Sequence, residues 1–364
     1  MKILSLPVDR SACGYYRIRK PLEGLRRYAG DETYVLEDKD FRGDALQDLI
    51  RALPEIDIIF MRPGAELGMR KLKQIIPNLK AKFVMDIDDA VDYVSPYSAF
   101  YKDFGTKEFK HEDMWVWKDG ENGFDIQRNK LKIASLKQGL READLVTVTT
   151  QKLAEYAYEF NPEVYINDNT IDFNHWWRLN NKINKPLKVI WQGSPSHYVD
   201  WYPIKDALNK LMDNYMFELY MLGSNYKGIF EKKHLSRVKT LPWVHFEAHS
   251  YRMMSIQADI GIIPLSTDIF NQYKSCIKLY ENMAMGLPSV VSNVLPYSEV
   301  IEEGKNALGY KTPEEFYKKM ELLLTNKGLR KNIANAGYQW VKKHKDLKDA
   351  SIKLHERLEE LIGS

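Results

Sequence analysis

The sequence is poor in features that mark several classes of protein. Its 364 residues include two cysteines, Cys13 and Cys276, which is too few for a disulfide framework or a cysteine metal site and favours a reducing compartment. No apolar run approaches the roughly 20 residues that cross a bilayer, and no secretory signal precedes the first strand-like segment. The formal net charge of +3 is too small to predict a protein that coats nucleic acid. We expect a cytoplasmic protein without stable membrane insertion.

Glycine is also scarce where many nucleotide-binding folds concentrate it. Residues 2–6 are predicted to form the first strand, but no Gly-x-Gly-x-x-Gly follows them, which argues against a dehydrogenase. The loop after this strand keeps only Gly14, in a position where α/β folds bring backbone against a ligand. Arg17, Arg19 and Lys20 follow it, and they are interpreted either as contacts for an anionic substrate or as solvated helix charges.

What is present indicates two α/β domains. A chain of 364 residues exceeds what one hydrophobic core usually organises. Short apolar runs alternate with helical patterns along most of it, as in parallel α/β proteins. A polar run, RLNNKINKP at residues 178–186, predicts a boundary close by. We predict an N-terminal domain at 1–172, a C-terminal domain at 173–345, and a last helix at 346–364 that packs back across the boundary.

An acidic cluster, Asp86-Ile87-Asp88-Asp89, ends the strand predicted at residues 82–87. Ligands in open α/β sheets bind beyond the carboxyl ends of strands, so the cluster is well placed for function. Alternation along the strand puts Asp86 and Asp88 on one side. A metal site, a general base and hydrogen bonds to substrate hydroxyls are the possible roles, with capping of the next turn as the structural alternative. One short cluster does not guarantee enough oxygen ligands for a metal, so we favour contact with substrate hydroxyls.

Residues 93–123 show no clear period and are rich in aromatic side chains. An irregular segment of this length inside a compact domain is usually functional or mobile. It is interpreted as a lid or a platform that contacts a substrate, or as an insert that contacts a membrane or a partner.

A short helix is predicted within residues 271–288, NQYKSCIKLYENMAMGLP. Ser275 is the expected N-cap, and Gly286 with the following Leu-Pro is the expected stop. Lys274, Lys278 and Glu281 are spaced to share one face. Two ammonium groups at a helix start suit a phosphate, whereas Glu281 suits the hydroxyls of a ribose. An ordinary surface helix with a charged face is the alternative.

A second candidate loop follows the strand predicted at residues 187–191. Its sequence is Gly193-Ser194-Pro195-Ser196-His197, in which the glycine would let backbone amides approach a phosphate closely. His197 is either a phosphate contact or incidental.

Longer motifs resemble glycosyltransferase family 4. They are KLYENMAMGLPSVVSNVLPYSEVI followed by EEGKNALGY, and more loosely READLVTVTTQKLAEY and NDNTIDFNHWW. The resemblance implies the GT-B fold, with two Rossmann-like, doubly wound parallel-sheet domains and a cleft between them. It also implies a hexosyltransferase that uses a nucleotide-diphosphate sugar, UDP-linked in our prediction, retains the anomeric configuration and needs no metal or other cofactor.

The resemblance also distributes roles over the candidate residues. Tyr273 stands where the family pattern has a second Glu, and the Arg and Lys that usually follow the glycine of the second loop are missing, which shifts the diphosphate onto the helix lysines. Three sets result: catalytic Asp88, Asp89, Lys274 and Lys278; donor-binding Glu281, Ser275, Tyr273, Gly193, Ser194 and Gly14; and acceptor-binding Tyr16, Arg17 and Asp86.

The acceptor is less defined than the donor. A glycan, a lipid-linked sugar or a small molecule with a free hydroxyl is the first expectation. The cluster of Arg17, Arg19 and Lys20 with the aromatic segment leaves open a hydroxylated base in DNA, as for some viral enzymes of this fold. Because Tyr273 replaces the expected Glu, a nucleotide-sugar-binding protein without turnover is the third hypothesis.

Overall fold

The chain divides into two units in the computed structural model, which describes residues 1–41, 43–76, 79–179 and 184–363. The first unit contains Met1–Asp92, Asp103–Thr170 and the C-terminal helix, and the second contains Tyr93–Lys102 and Ile171–Asp346. The inclusion of Tyr93–Lys102 in the second unit is not part of the sequence prediction. Residues 180–183 of the polar run used to predict the boundary lie outside the described residues.

The first unit is built on a parallel sheet. In the described part of the chain it has six strands in the order β2-β1-β3-β4-β7-β8. A separate antiparallel hairpin, β5-β6, belongs to the same unit. The eight strands are β1 (Lys2–Ser5), β2 (Glu32–Val35), β3 (Ile58–Met61), β4 (Lys82–Asp86), β5 (Phe109–His111), β6 (Met114–Trp117), β7 (Leu145–Val148) and β8 (Val164–Ile166).

The central strands of this sheet are short apolar runs because helices cover both faces. Every residue of β3 and β7 is buried, as expected for a parallel sheet packed on two sides. One face packs on Ile18 and Leu22 of the first helical region and on Leu354 of the C-terminal helix. Because β1, β3 and β4 are adjacent and parallel, their carboxyl ends lie side by side at the same end of the sheet.

Helices connect these strands. The first helical region contains two π-helical segments, Tyr15–Arg19 and Leu25–Ala29. Asp125 caps the longest connecting helix by accepting a hydrogen bond from the amide of Arg128 at 2.8 Å. The α-helical segments of this unit are Ala12–Gly14, Lys20–Gly24, Gly43–Ala52, Glu66–Ile75, Ile126–Glu142, Gln151–Tyr158 and Leu347–Gly363.

The second unit contains another parallel sheet. Within the described residues its six strands run in the order β11-β10-β9-β12-β13-β14. Apolar clusters cover both faces of this sheet. The strands are β9 (Leu187–Gly193), β10 (Phe217–Gly223), β11 (Val238–Leu241), β12 (Ile260–Ile263), β13 (Ser289–Ser292) and β14 (Leu308–Tyr310), and the main helices are Lys205–Asn214, His249–Ser255, Ile277–Ala284, Pro313–Thr325 and Lys327–His344.

The aromatic segment at residues 93–123 is more regular than the sequence suggests. It contains the short helix Tyr101–Phe104 and the β5-β6 hairpin. The expectation of an irregular loop is therefore wrong for these parts, because strands of three and four residues are too short for alternation to be recognised. Trp115 at the hairpin is 45% exposed.

Within the described ranges, no helix is both long and apolar enough to span a bilayer.

Candidate active site

The helix predicted to bind phosphate exists, but it begins later than expected. It spans Ile277–Ala284, and Cys276 rather than Ser275 occupies the N-cap position. A 3-10 turn at Phe270–Tyr273 ends in extended backbone at Lys274, so helical geometry starts only after that residue. The prediction of Ser275 as N-cap is wrong. The predicted stop is confirmed, because Gly286 adopts a left-handed conformation with φ of 66°.

Lys278 is held in a buried polar chain that begins on another element. Its Nζ lies 2.9 Å from Nε2 of His197, and Nδ1 of His197 lies 2.7 Å from a carboxylate oxygen of Asp200. The other oxygen of Asp200 accepts hydrogen bonds from the amide and hydroxyl of Ser266 and from the side chain of Asn271. Because Asp200 is an acceptor, Nδ1 of His197 carries the proton and Nε2 accepts from Lys278.

The electrostatics of this chain set unusual protonation states. Burial, and then the charges of Lys278 and Lys274, lower the pKa of His197 to about 3. Burial and the neighbouring Lys274 lower the pKa of Lys278 to about 7. Burial would raise the pKa of Asp200, but the hydrogen bond from His197, electrostatic attraction to His197 and Lys274 and the hydrogen bond from the amide of Ser266 together lower it to about 2. The imidazole is therefore neutral at neutral pH, and Lys278 is close to its titration midpoint.

Lys274 precedes the helix instead of sharing its face. Its Nζ lies 5.0 Å from the ring centroid of Phe270, while Nζ of Lys278 lies 5.7 Å from that of Trp191. In the described part of the chain neither lysine forms an ion pair with a carboxylate. The two cations predicted to bind a diphosphate thus remain at the start of the helix with aromatic and imidazole neighbours.

The loop after β9 requires glycine at Gly193 for packing. A Cβ there would lie 2.4 Å from the ring of Trp191, so the position has a structural reason for being glycine, separate from any ligand. The carbonyl of Ser194 accepts from the hydroxyl of Tyr226 at 2.7 Å, and its hydroxyl lies 2.7 Å from that of Ser196. The predicted contacts of Gly193 and Ser194 with the nucleotide sugar remain predictions.

Glu281 lies one turn after Lys278 and is 2% exposed. It accepts a hydrogen bond from the side chain of Gln192 at the end of β9, and Oε1 lies 3.4 Å from Nε2 of His249. Within the described residues, neither ring nitrogen of His249 makes a hydrogen bond, although the ring is buried. An acceptor and an orphaned imidazole therefore lie beside each other.

Tyr273, which replaces the expected glutamate, is buried. Its ring stacks on that of Tyr93 with centroids 5.2 Å apart and an interplanar angle of 8°. This contact joins the start of the Tyr93–Lys102 segment to the rest of the second unit. A role for Tyr273 in sugar recognition remains a prediction.

In the first unit, Asp86 lies in a closed ion-pair network. Its carboxylate accepts from Nε and NH2 of Arg17 at 3.1 and 2.6 Å and from the hydroxyl of Thr147 at 2.7 Å. Arg17 and Asp86 are 1% and 0% exposed. Arg17 also donates to the carbonyl of Asn167 and the side chain of Asn169. Arg17 and Asp86, two of the three residues assigned to the acceptor, are thus fully engaged with their own unit.

Arg62, which follows β3, links this network to the rest of the acidic cluster. It donates to Asp88 at 2.6 Å and to Asp86 at 3.2 Å. Burial would raise the pKa of Asp88, but the charge of Arg62 and hydrogen bonds from Cys13 and Arg62 hold it below the ordinary value. Asp88 is therefore an ionised hydrogen-bond acceptor and a weak base. Its neighbour Asp89 is half-buried.

The first loop differs most from expectation. Gly14 lies in the helical segment Ala12–Gly14 rather than in a loop, and a Cβ there would lie 2.0 Å from the carbonyl oxygen of Asp9. Tyr16 is buried in the following π-helical segment. Lys20 is 5% exposed and pairs with Glu23 at 2.7 Å. The hypothesis of a DNA acceptor depends on a cationic surface formed by Arg17, Arg19 and Lys20. Two of these three side chains, Arg17 and Lys20, are buried, so most of that surface is missing.

Among the described residues, no group of three or more His, Cys, Asp or Glu side chains is arranged to hold a metal ion.

Comparison with known proteins defines the class. Residues 200–326 match the family model described as Glycosyl transferases group 1. No curated protein matches the sequence. The fold is similar to that of sucrose-phosphate synthase from Thermosynechococcus elongatus, with a TM-score of 0.66 and 12% identity over 100% of both chains.

Other solved structures are similar over nearly the whole chain. HepE from Anabaena, in complex with UDP and glucose, has a TM-score of 0.63 and 13% identity and covers 99% of this chain and 100% of its own. The lipopolysaccharide outer core galactosyltransferase WaaB has a TM-score of 0.60 and 12% identity and covers 99% of both. These similarities confirm the GT-B fold. Together with the matched family model, they show that the protein is a glycosyltransferase.

Sequence reasoning missed several residues of the site. The sequence does not single out Arg62, Gln192, Asp200 or His249, and for His197 it leaves a phosphate contact and an incidental position open. Arg62 had a usable signal, since it directly follows a strand whose neighbour ends in the acidic cluster. Asp200 and Gln192 contact residues that are 66 and 89 positions away in the sequence. His249 contacts Glu281, which lies on another helix.

Proposed function

We propose that the protein transfers a hexosyl group from a nucleotide-diphosphate sugar to a hydroxyl of a glycan, a lipid-linked sugar or a small molecule. The second unit binds the donor and the first unit binds the acceptor. Transfer proceeds with retention of configuration, by attack on the face from which the diphosphate leaves, and without a bound metal ion.

The observation that carries this proposal is the pair of lysines at the start of the Ile277–Ala284 helix. Cleavage of the anomeric C–O bond leaves new negative charge on the departing diphosphate. Lys274, Lys278 and the first amides of the helix are suited to stabilise that charge. Neither lysine is neutralised by a carboxylate within the described residues, so both remain available for an anion. Two ammonium groups would also supply the positive charge that a metal supplies in other transferases.

Glu281 and His249 support a ribose site next to the diphosphate. A vicinal diol can donate to the carboxylate of Glu281 and satisfy the buried ring nitrogens of His249, which otherwise cost free energy. HepE has been solved in complex with UDP and with UDP-glucose, which supports a uridine nucleotide here. Tyr273, Ser275, Gly193 and Ser194 complete the proposed donor contacts.

Asp88 is the proposed contact for the acceptor hydroxyl, with Asp89 beside it. Its ionised carboxylate can accept a hydrogen bond and orient the nucleophile. A strong base is not needed in same-face transfer, because the leaving phosphate oxygen can take the proton. Arg17 and Asp86 act on the acceptor through Arg62, by holding Asp88 in place, and Tyr16 packs in the segment that carries Arg17.

A panel of nucleotide sugars tests this function. We expect a UDP-sugar to raise the melting temperature and to release free sugar slowly in the absence of acceptor, with no effect of a chelator. Glu281→Ala should weaken donor binding about tenfold or more, since a hydrogen bond to a charged group is worth ~1.5–3 kcal/mol. Glu314→Ala, an exposed glutamate of the same unit, is the control. Unchanged turnover in Glu281→Ala would show that the site is assigned wrongly.

A further inference from the structure

An apolar cavity of about 720 Å³ lies in the first unit. Its walls come from the segments that follow β1 and β3 and from the helices Gly43–Ala52 and Glu66–Ile75. Ten of its fifteen lining residues have apolar side chains, two are glycines and three are charged. Pockets for small molecules usually have ~300–1,000 Å³ and a mostly apolar lining with a few polar groups. The cavity therefore has the size and character of a ligand site.

One of the three charged residues connects the cavity to the proposed acceptor site. Arg62 lines the cavity, and its guanidinium lies 2.6 Å from Asp88. The Asp88 side chain is 16% exposed, so it can be reached by a ligand. A molecule with an apolar part in the cavity would therefore contact a residue that is itself hydrogen-bonded to the Asp88 carboxylate.

The charges of the lining favour an uncharged ligand. Arg62 is already paired with Asp86 and Asp88, and the other two charged lining residues, Asp9 and Lys71, have opposite signs. Among the described lining residues there is thus no cluster of unpaired cations of the kind that binds a phosphate.

We propose that the cavity binds the apolar aglycone of an uncharged amphiphilic acceptor, an alkyl or aryl glycoside, whose sugar hydroxyl lies against Asp88. This inference rests on the proposed function only in treating the ligand as the acceptor. The binding itself follows from removal of the aglycone from water and does not require a donor.

The experiment measures binding of methyl, hexyl and phenyl β-glucosides to the full-length protein by calorimetry, below micellar concentrations and without nucleotide. We expect the hexyl or the phenyl glucoside to bind at least tenfold more tightly than the methyl glucoside. Preference for the hexyl compound would identify an alkyl acceptor, and preference for the phenyl compound an aryl one. Equal affinity of all three glucosides would overturn the proposal.

Two variants and a control locate the binding. Ile50→Glu places a carboxylate at a lining position that is 40% exposed and therefore safe for folding, and it should abolish the tenfold gain. Gly68→Leu should do the same by filling the cavity, because a Cβ at Gly68 makes only ordinary contact with Leu6 at 3.7 Å. Leu67→Glu, at a residue that is 63% exposed and outside the lining, should retain the gain. A gain that survives both cavity variants would overturn the proposal.

Two further results separate this inference from the proposed function. Tighter binding of geranyl phosphate than of hexyl glucoside would overturn the uncharged acceptor. A tenfold gain that is lost in the cavity variants, with no sugar transfer from any nucleotide sugar, would leave the cavity assignment standing and overturn the proposed function. Transfer without any preference for an apolar aglycone would overturn the cavity assignment alone.

Discussion

The two units each bury a cluster of charges at the carboxyl ends of their strands, and the clusters are organised differently. In the first unit, Arg17 and Arg62 contact Asp86 and Asp88 directly. In the cluster of the second unit, Lys274 and Lys278 form no ion pair with a carboxylate of the described residues. Lys278 contacts the neutral ring of His197, and Asp200 is satisfied by hydrogen-bond donors that carry no charge.

This difference separates a structural role from a binding role. Paired charges need no ligand, and breaking such a pair is costly because it leaves one charge buried alone. A lysine held by a neutral acceptor has no carboxylate that competes with an entering anion, so the anion gains the full interaction with the ammonium form. From this contrast we expect the Arg17–Asp86 pair to contribute to stability and Lys278 to bind an anion, and each expectation can be tested separately.

The largest expected effect is on stability, in the first unit. Asp86→Ala leaves the Arg17 guanidinium, which is 1% exposed, without its carboxylate, and should lower the free energy of unfolding by about 3–5 kcal/mol. Urea denaturation measures this change. Asp48→Ala is the matched control, because the Asp48–Arg51 pair is largely exposed and should contribute no more than ~1 kcal/mol. A loss in Asp86→Ala as small as in the control would contradict the structural role.

The next effect is on donor affinity, in the second unit. Lys278→Met removes a cation from the start of the Ile277–Ala284 helix and should weaken UDP binding about ten- to hundredfold, as expected for a charge-assisted hydrogen bond. Calorimetric titration measures the dissociation constant. Lys305→Met, at a lysine whose side chain is 75% exposed, should leave it unchanged. Similar affinity in both variants would remove Lys278 from the site.

A smaller and more specific effect concerns pH. The pKa of Lys278 is lowered to about 7 by burial and by Lys274, and a bound diphosphate raises it. Binding therefore takes up a proton above pH 7, so affinity should fall as pH rises, by at most about tenfold per pH unit. Titrations between pH 7 and 9 with a UDP-sugar, whose phosphates do not titrate there, measure the slope.

A matched variant shows whether this slope comes from Lys278. Lys278→Arg should flatten it, because an arginine stays charged over the whole range. A flat profile in the unmodified protein, or an equal slope in Lys278→Arg, would show that the lysine is not the titrating group.

Local features of the site could be predicted from the sequence. The stop at Gly286 depends on a backbone conformation that glycine favours, and the spacing of Lys278 and Glu281 depends only on helical periodicity. The prediction of Ser275 as N-cap is wrong because a separate 3-10 turn at Phe270–Tyr273 precedes the helix, and helical geometry begins only at Ile277. Residue preferences alone do not show where that turn ends. Where a feature depends on neighbours in the chain, sequence reasoning was mostly sufficient.

Features that depend on distant residues could not be predicted. Arg17 and Asp86 are 69 positions apart, and His197 and Lys278 are 81 apart, so no periodicity relates them. Arg17 was interpreted as a ligand contact or a solvated charge, and its burial follows only from the packing of the first helical region on the sheet. The parallel α/β architecture itself was predictable, because it repeats along the whole chain.

We propose that the Ile277–Ala284 helix binds the activated sugar through Lys278 and Glu281, together with Lys274 just before the helix. A crystal structure of the protein with bound UDP tests it most directly. We expect phosphate oxygens within hydrogen-bonding distance of Lys278 and the ribose hydroxyls at Glu281. A nucleotide bound at any other place in the molecule would contradict it.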